Sequence, residues 1–281
     1  TYTDLIIGLP GETYESFIKG VSDIIESGQH NRIQFINLSI LENTPMADPE
    51  FKQKYGVSLV EGDFIPHHTS LKNTENEINE KGLLVVGTNS MPKADWVKTR
   101  VFSWMVSLLH FDKLLQIPLI ILHEIGGFSY RDIFKLFVQK ETNSIIINEI
   151  ISLFEEKAIQ IQNGGIEFCE STEWLNITLF ADELAYIKMS TSGKLKEFYD
   201  EAEKRLIEYA SGSNTVSSEV ISQAVLLNHQ LMKQPFVNQD KVVECGFNLW
   251  EIYEAALNIN PLELKKGRYL YTVKKTSQHW D

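Results

Sequence analysis

The sequence predicts an α+β protein: a strand–helix–strand unit with parallel strands, followed by a mostly helical chain. Three observations predict it. Leu5-Ile6-Ile7 is a short apolar run of the fully buried kind, ending at Gly8. A second strand-like run, Ile33 to Leu41, follows one helix later, and buried strands in that order imply parallel pairing. From Ala94 onward, apolar residues recur at helical spacing.

Between the first two strands, Thr13 is placed to cap a helix carrying Phe17, Val21, Ile24 and Ile25, and Gly28 terminates it. In the second run Ile36, Leu38 and Ile40 form an apolar face. The opposite face, Ile33, Phe35, Asn37 and Ser39, grows polar toward its end. Polar residues there stand where α/β barrels keep their active sites. Residues 42–81 read as irregular, broken by prolines 45, 49 and 66, glycines 56 and 62, and a polar run from Lys72 to Lys81. Leu83-Leu84-Val85-Val86 is a strand ending at Gly87, and Thr88-Asn89-Ser90 with Pro92 starts the next helix. Helical segments follow near 96–116, 119–124, 129–138, 144–160, 183–189, 194–210, 217–231 and 248–258. Tyr269, Tyr271 and Val273 alternate as a closing strand. The expected division is 1–65 for the strand–helix–strand part, 66–91 for a linker with a short strand, and 92–281 for a mostly helical C-terminal domain.

The 281 residues carry a formal net charge of -12, with Lys+Arg 26 against Asp+Glu 38. That balance argues against phosphate-neutralising nucleic-acid binding and against docking on anionic membrane. Val101 to Leu122 is the most apolar stretch, but His110, Asp112, Lys113 and Pro118 interrupt it. A span needs about 20 apolar residues with few charges, so a buried helix or helix pair is expected. Cys169 and Cys245 stand far apart, which fits two buried thiols in a reducing, cytoplasmic compartment. The chain opens on Thr1 with no initiator Met and no signal-peptide pattern, so a fragment of a longer protein is expected.

Gly8-Leu9-Pro10-Gly11-Glu12-Thr13 is the sharpest local feature. A strand-to-helix turn aims backbone N–H groups and the helix dipole at a ligand, and glycines allow close approach. A phosphate loop would need Gly-Lys-Ser/Thr before its helix, and here Glu12 stands in the place of the Lys. A tight turn without a ligand is the plain alternative.

Thr3 through Thr13, followed by Arg32-Ile33-Gln34-Phe35 and Asn43-Thr44-Pro45-Met46, resembles two successive strands and their loops in the second half of the radical S-adenosylmethionine (SAM) barrel. Asp48-Pro49-Glu50-Phe51 with Tyr55-Gly56-Val57 resembles the subgroup carrying an upstream B12-binding domain, a kind of iron–sulfur oxidoreductase. Residues 82–96 are similar, less specifically, to the C-terminal region of those proteins. The resemblance implies a partial TIM-like radical SAM barrel at the start of this chain. It also implies a parent protein that uses a 4Fe-4S cluster, SAM and, in this subgroup, cobalamin, for oxidoreductase or methyltransferase-like radical chemistry on a small-molecule substrate. Carried over by position, Gly8 and Glu12 on the first strand end, and Asn37, Ser39, Asn43 and Thr44 on the second, are the cofactor-binding residues it implies. Their plain reading is interior packing and turn formation.

The family's Cys-x3-Cys-x2-Cys motif is absent from the chain, and two cysteines cannot supply a cluster's thiolates. The expectation is therefore an enzyme fragment with no cofactor and no activity of its own, whose partners are the upstream domains of its parent. A barrel edge cut in this way would expose unpaired strand groups and favour a homo-oligomer. The competing expectation makes residues 92–281 a non-catalytic binding or assembly module, contacting a partner subunit or the cobalamin domain. Other residues read as structural. His67 and His68 are expected in a solvated loop, and His110 and His123 as hydrogen-bonded core residues. Glu155-Glu156 and Asp182-Glu183 are expected on exposed helix faces, and Trp96, Trp104, Trp174 and Trp250 as core anchors.

Overall fold

The computed structural model describes residues 2–64, 68, 70, 80–172, 176–213, 215–233 and 239–275; His67, Trp174 and most of the polar run from Lys72 lie outside them. The first strand, β1 (Thr3–Ile7), pairs in parallel with β2 (Ile33–Asn37), with Leu5 opposite Phe35 and Ile7 opposite Asn37. Helix α1 (Tyr14–Glu26) connects them. Thr13 and Ser16 form a reciprocal capping box at its start, satisfying two of the orphan N–H groups there. Phe17, Ile18, Val21 and Ile25 are its buried face.

The second strand run is broken where a single strand was expected. After Leu38 the chain leaves β1 and continues as β3 (Ser39–Ile40), which pairs antiparallel with β5 (Glu80–Gly87). β5 also pairs antiparallel with β4 (Ser58–Phe64), which lies in the region read as irregular. Between β3 and β4 stands the short helix α2 (Pro49–Tyr55), capped by Asp48 and ended by Gly56. The break reverses the faces. Ile33, Phe35 and Asn37 are buried toward the helices, whereas Ile6 and Ile36 on the other side are each 40% exposed. Beyond the break Leu38 and Ile40 turn inward, onto Val85, in a small core of their own.

The remainder is helical, as its periodicity predicts, with two small antiparallel ribbons. The order is α3 (Lys93–Val106), a π-helical turn (Ser107–Phe111), α4 (Gln116–Glu124), α5 (Tyr130–Phe137), α6 (Ile145–Gln162), β6 (Cys169–Ser171), β7 (Ile177–Leu179), α7 (Ala181–Thr191), α8 (Leu195–Ala210), α9 (Ser218–Leu231), β8 (Lys241–Phe247), α10 (Leu249–Leu257) and β9 (Lys266–Val273). β6 pairs with β7, and β8 with β9. The protein is thus α+β with four small sheets, and no sheet closes into a barrel among the described residues.

The most apolar stretch does fold as a bent helix pair. Lys93–Phe111 and Gln116–Glu124 meet at 92°, and among the described residues no single helix is long and apolar enough to cross a membrane. The bend is held from outside. Asn228 of α9 donates to the carbonyls of Lys113 and Leu114 and accepts from the N–H of Ile117. It satisfies backbone groups that a helix end leaves orphaned in an apolar interior.

One continuous core joins the strand pair to the helices, with Ile7, Phe17, Val21 and Phe35 packed in the same cluster as Trp96, Phe102, Leu109 and Phe134. Trp96 and Trp104 are buried there as expected, and Trp250 is half-buried. Both cysteines are free and buried. His30, in the loop before β2, and His110, on the π turn, form the polar joint: His30 Nδ1 lies 3.1 Å from His110 Nε2. Gln116 reinforces it, donating to the carbonyl of His30 at 2.8 Å.

Burial lowers the pKa of His30 from 6.5 to about 4 and holds His110 well below its ordinary value. Both rings are therefore neutral in the fold and take up protons near 6.5 once it opens. The stability held by His30 is complete above pH 6.5 and is lost as pH falls toward about 4, and that held by His110 falls with pH in the same direction. The loss should reach about 1.4 kcal/mol per pH unit for each ring. Thermal melts across this range, followed by circular dichroism, should show that fall, and a shallower one in His110→Gln.

Candidate functional site

The carboxyl ends of β1 and β2 are where the residues singled out by sequence meet the rest of the fold. At the end of β1, Gly8 and Gly11 have φ of 94° and 93°, a region where L side chains are strained. Pro10 and Gly11 form the centre of a tight turn closed by the N–H of Glu12 on the carbonyl of Leu9 at 3.1 Å, the Pro-Gly arrangement of a type II turn. The N–H of Gly11 is bonded to Ser90 Oγ at 3.0 Å, so the loop after β5 holds the turn in place. Gly8 is buried beneath β5: a Cβ there would stand 3.4 Å from both Val85 Cγ1 and the Val85 carbonyl oxygen. The Glu12 carboxylate accepts from Ser16 Oγ, on the first turn of α1.

At the end of β2, the Asn37 amide points toward the helices and donates to Glu167. Glu167 arrives from the loop between α6 and β6, held by Lys157 of α6, which donates to the neighbouring carbonyl of Phe168. Arg100 of α3 completes the group. It is 3% exposed, donates to the carbonyl of Phe35 at 3.2 Å, and lies 4.2 Å over the ring of Trp104. Burial raises the pKa of Glu167, opposed by Arg100 and by the hydrogen bond from Asn37. Burial lowers Arg100 to about 10 and also lowers Lys157, in each case opposed by nearby acidic groups. Asn37 Oδ1 and Arg100 Nε are buried with no hydrogen-bond partner among the described residues.

The remaining three predicted positions lie further along the chain. Ser39 pairs with Leu84 in the antiparallel sheet. Asn43 is exposed with φ of 61°, and Thr44 Oγ1 donates to the carbonyl of Leu41 at 2.7 Å just before a short 3-10 turn. Gly8, Glu12 and Asn37 therefore share one end of the strand pair, whereas Asn43 and Thr44 shape the bend that leaves it.

Glu167 and Arg100 were not among the residues singled out by sequence. A charge inside the apolar helix 96–116 and an acid just after Gly164-Gly165 were the signals available. Asp182 corrects an expectation. Read as an exposed helix residue, it is 2% exposed at the start of α7, where it faces Asp112 within reach of Arg32 and Arg100.

The donor set of the chain does not fit an iron–sulfur cluster: Cys169 lies on β6 and Cys245 on β8, in separate sheets, and burial pushes both thiols above their ordinary pKa. Among the described residues no group of His, Cys, Asp and Glu is arranged to hold a metal ion.

No protein-family model matches the chain. It is 36% identical over 129 residues to the cobalamin-dependent radical SAM methyltransferase TokK of Streptomyces tokunonensis, a stretch that is 45% of this chain and 18% of that protein. It is 33% identical over 129 residues, with the same two shares, to the 2-(S-pantetheinyl)-carbapenam-3-carboxylate methyltransferase of Streptantibioticus cattleyicolor. The chain thus spans less than a fifth of the length of these curated relatives.

Two substitutions probe the strand ends. Arg100→Ala should cost about 3–5 kcal/mol in urea denaturation, because it removes one of the two cations that oppose the desolvation of Glu167, the donor to the Phe35 carbonyl and the packing on Trp104. Gly8→Ala should cost about 1 kcal/mol, from the positive φ of its backbone.

Proposed function

We propose that this chain is the C-terminal part of a cobalamin-type radical SAM methyltransferase, in which β1–α1–β2 is a segment of the α/β barrel and the helices cover one side of it. The relationship to TokK over 45% of the chain is the observation that carries this reading. Two structural features support it. The strands are parallel with the glycine turn at their carboxyl end, where α/β barrels place their sites. Ile6 and Ile36, on the face away from the helices, stand where barrel strands turn their side chains inward.

In this reading the cluster is held by residues outside this chain, as its two cysteines require. When bound, the cluster supplies the electron for reductive cleavage of SAM. Glu12 and the glycine turn shape one rim of the SAM site. Asn37 is a positioning residue, tied through Glu167 to the helical layer. Asn43 and Thr44 shape the adjoining loop. The chain alone is inactive, and its partners are the preceding domains of the same polypeptide.

The test begins with the reading frame upstream of Thr1. A closely spaced cysteine triplet is expected, and its absence would sink the proposal. The longer protein, reconstituted anaerobically, should then form 5′-deoxyadenosine from SAM. Asn37→Ala should slow that reaction about tenfold or more while leaving the cluster's absorbance unchanged.

A further inference from the structure

β9 is paired with β8 along one edge, and among the described residues no strand pairs with its other edge. In an antiparallel pair, alternate residues turn their N–H and C=O groups away from the partner strand, so the outer edge of β9 presents a row of them. β8 lies on the inner side, against α9, where the N–H of Gly246 donates to Gln223 Oε1 at 2.6 Å. Protein edges are commonly blunted by keeping them short or by setting a charge within them. β9 runs for eight residues, and its middle, Tyr269 to Val273, is uncharged and rich in strand-forming types. Its charges stand at the two ends, with Lys266 and Arg268 at the start and Lys274 just beyond the finish.

The two faces of the ribbon differ. Tyr269, Tyr271 and Val273 turn inward onto the core. Leu270 of β9 and Val242 of β8, diagonal neighbours, form an apolar stripe on the outer face, 56% and 66% exposed. The ribbon also reverses the charge of the chain. Lys241, Lys265, Lys266, Arg268, Lys274 and Lys275 stand against Asp240 and Glu244, in a sequence of net charge -12. Glu244 is taken by Arg268 at 2.8 Å. Lys241 donates to the neutral amide of Gln230, and Lys275 to the carbonyl of Met232, so these bonds leave both charges in place.

This pattern selects the occupant. A second copy pairing antiparallel, with Leu270 at the two-fold, would set Lys266 opposite Lys274, and like charges directly opposed destabilise a strand pair. A nucleic acid or an anionic membrane would extend past the ribbon and meet the negative remainder of the surface. A short extended segment meets the ribbon alone.

We propose that β9 receives an acidic, extended peptide segment of a partner protein as an added strand. Its backbone pairs with the free edge, an apolar side chain lies against Leu270, and carboxylates stand beside Lys266 and Lys274. Main-chain bonds supply affinity in such strand addition, and the side chains supply specificity. The surface is built from β8 and β9 and does not depend on the radical SAM reading.

The probe is a fluorescein-labelled peptide, Glu-Glu-Val-Thr-Val-Thr-Val-Glu-Glu, titrated with the chain by fluorescence anisotropy. It should bind about tenfold or more tightly than its counterpart with Gln for Glu, and the difference should shrink as salt rises. Lys266→Glu with Lys274→Glu should remove that difference; both side chains are exposed, so the circular dichroism spectrum should be unchanged. Methylating the peptide's N–H groups on alternate residues separates strand pairing from charge attraction. Of the two complementary methylated peptides, one should bind about tenfold or more weakly and the other should bind as before. No binding of the acidic peptide, equal binding of the Gln peptide, or equal behaviour of the two methylated peptides would overturn the proposal. Tighter binding of oligothymidylate or of phosphatidylserine vesicles than of the peptide would overturn it as well.

Discussion

The position of β2 is set by charge buried at both of its ends. Arg32 before the strand meets Asp112 and Asp182, while Asn37 at its finish meets Glu167 beside Arg100 and Lys157. Taking such groups out of water costs several kcal/mol per ion, and each is tolerable only in its pairing. The interactions therefore add little to net stability compared with the surrounding core. They select one placement of β2 against the helices, because a shift of one residue would leave buried charges unmatched and would turn Phe35 outward. β1 is registered on β2, and α1 on both, so the glycine turn inherits its location from these contacts.

The end of the strand pair is shaped by a change of partner. Leu38 is where the chain stops following β1: its N–H bonds to the carbonyl of Ile7, while its own carbonyl accepts from Val85 of β5. β5 consequently crosses the carboxyl ends and covers Gly8, and Ser90 beyond it fastens Gly11. The turn is thereby held from β5 and from the loop after it.

Much of the framework was legible because local chemistry decided it. Thr13 caps α1 since its hydroxyl reaches the N–H of Ser16, and both residues lie in one short window. The helices follow from apolar spacing, including the apolar pair that bends between Phe111 and Gln116. β4 and β8 were missed: β4 carries Glu61, Gly62 and Asp63, a polar stretch whose pairing with β5 supplies what its side chains do not. The face of β2 was harder still. Ile33 and Phe35 stand on one side and Ile36, Leu38 and Ile40 on the other, so alternation could not say which one the helices would bury.

The sequence by itself determined the α+β class, the parallel strand pair, the capped helix with its Pro-Gly turn, and the shortage of thiols for a cluster. All of these rest on neighbours a few residues apart or on composition. Only the tertiary structure decided that Asp182 is buried, that Asn37 faces Glu167, which lies 130 residues away, and that Arg32 ties β2 to Asp112 of the helical layer. A charged residue in an isolated helix window reads as solvent-facing, because water is its cheapest partner. It goes inside where the fold brings an opposite charge to meet it, or where burial favours its neutral form as at Asp182, and either environment is built by long-range contacts.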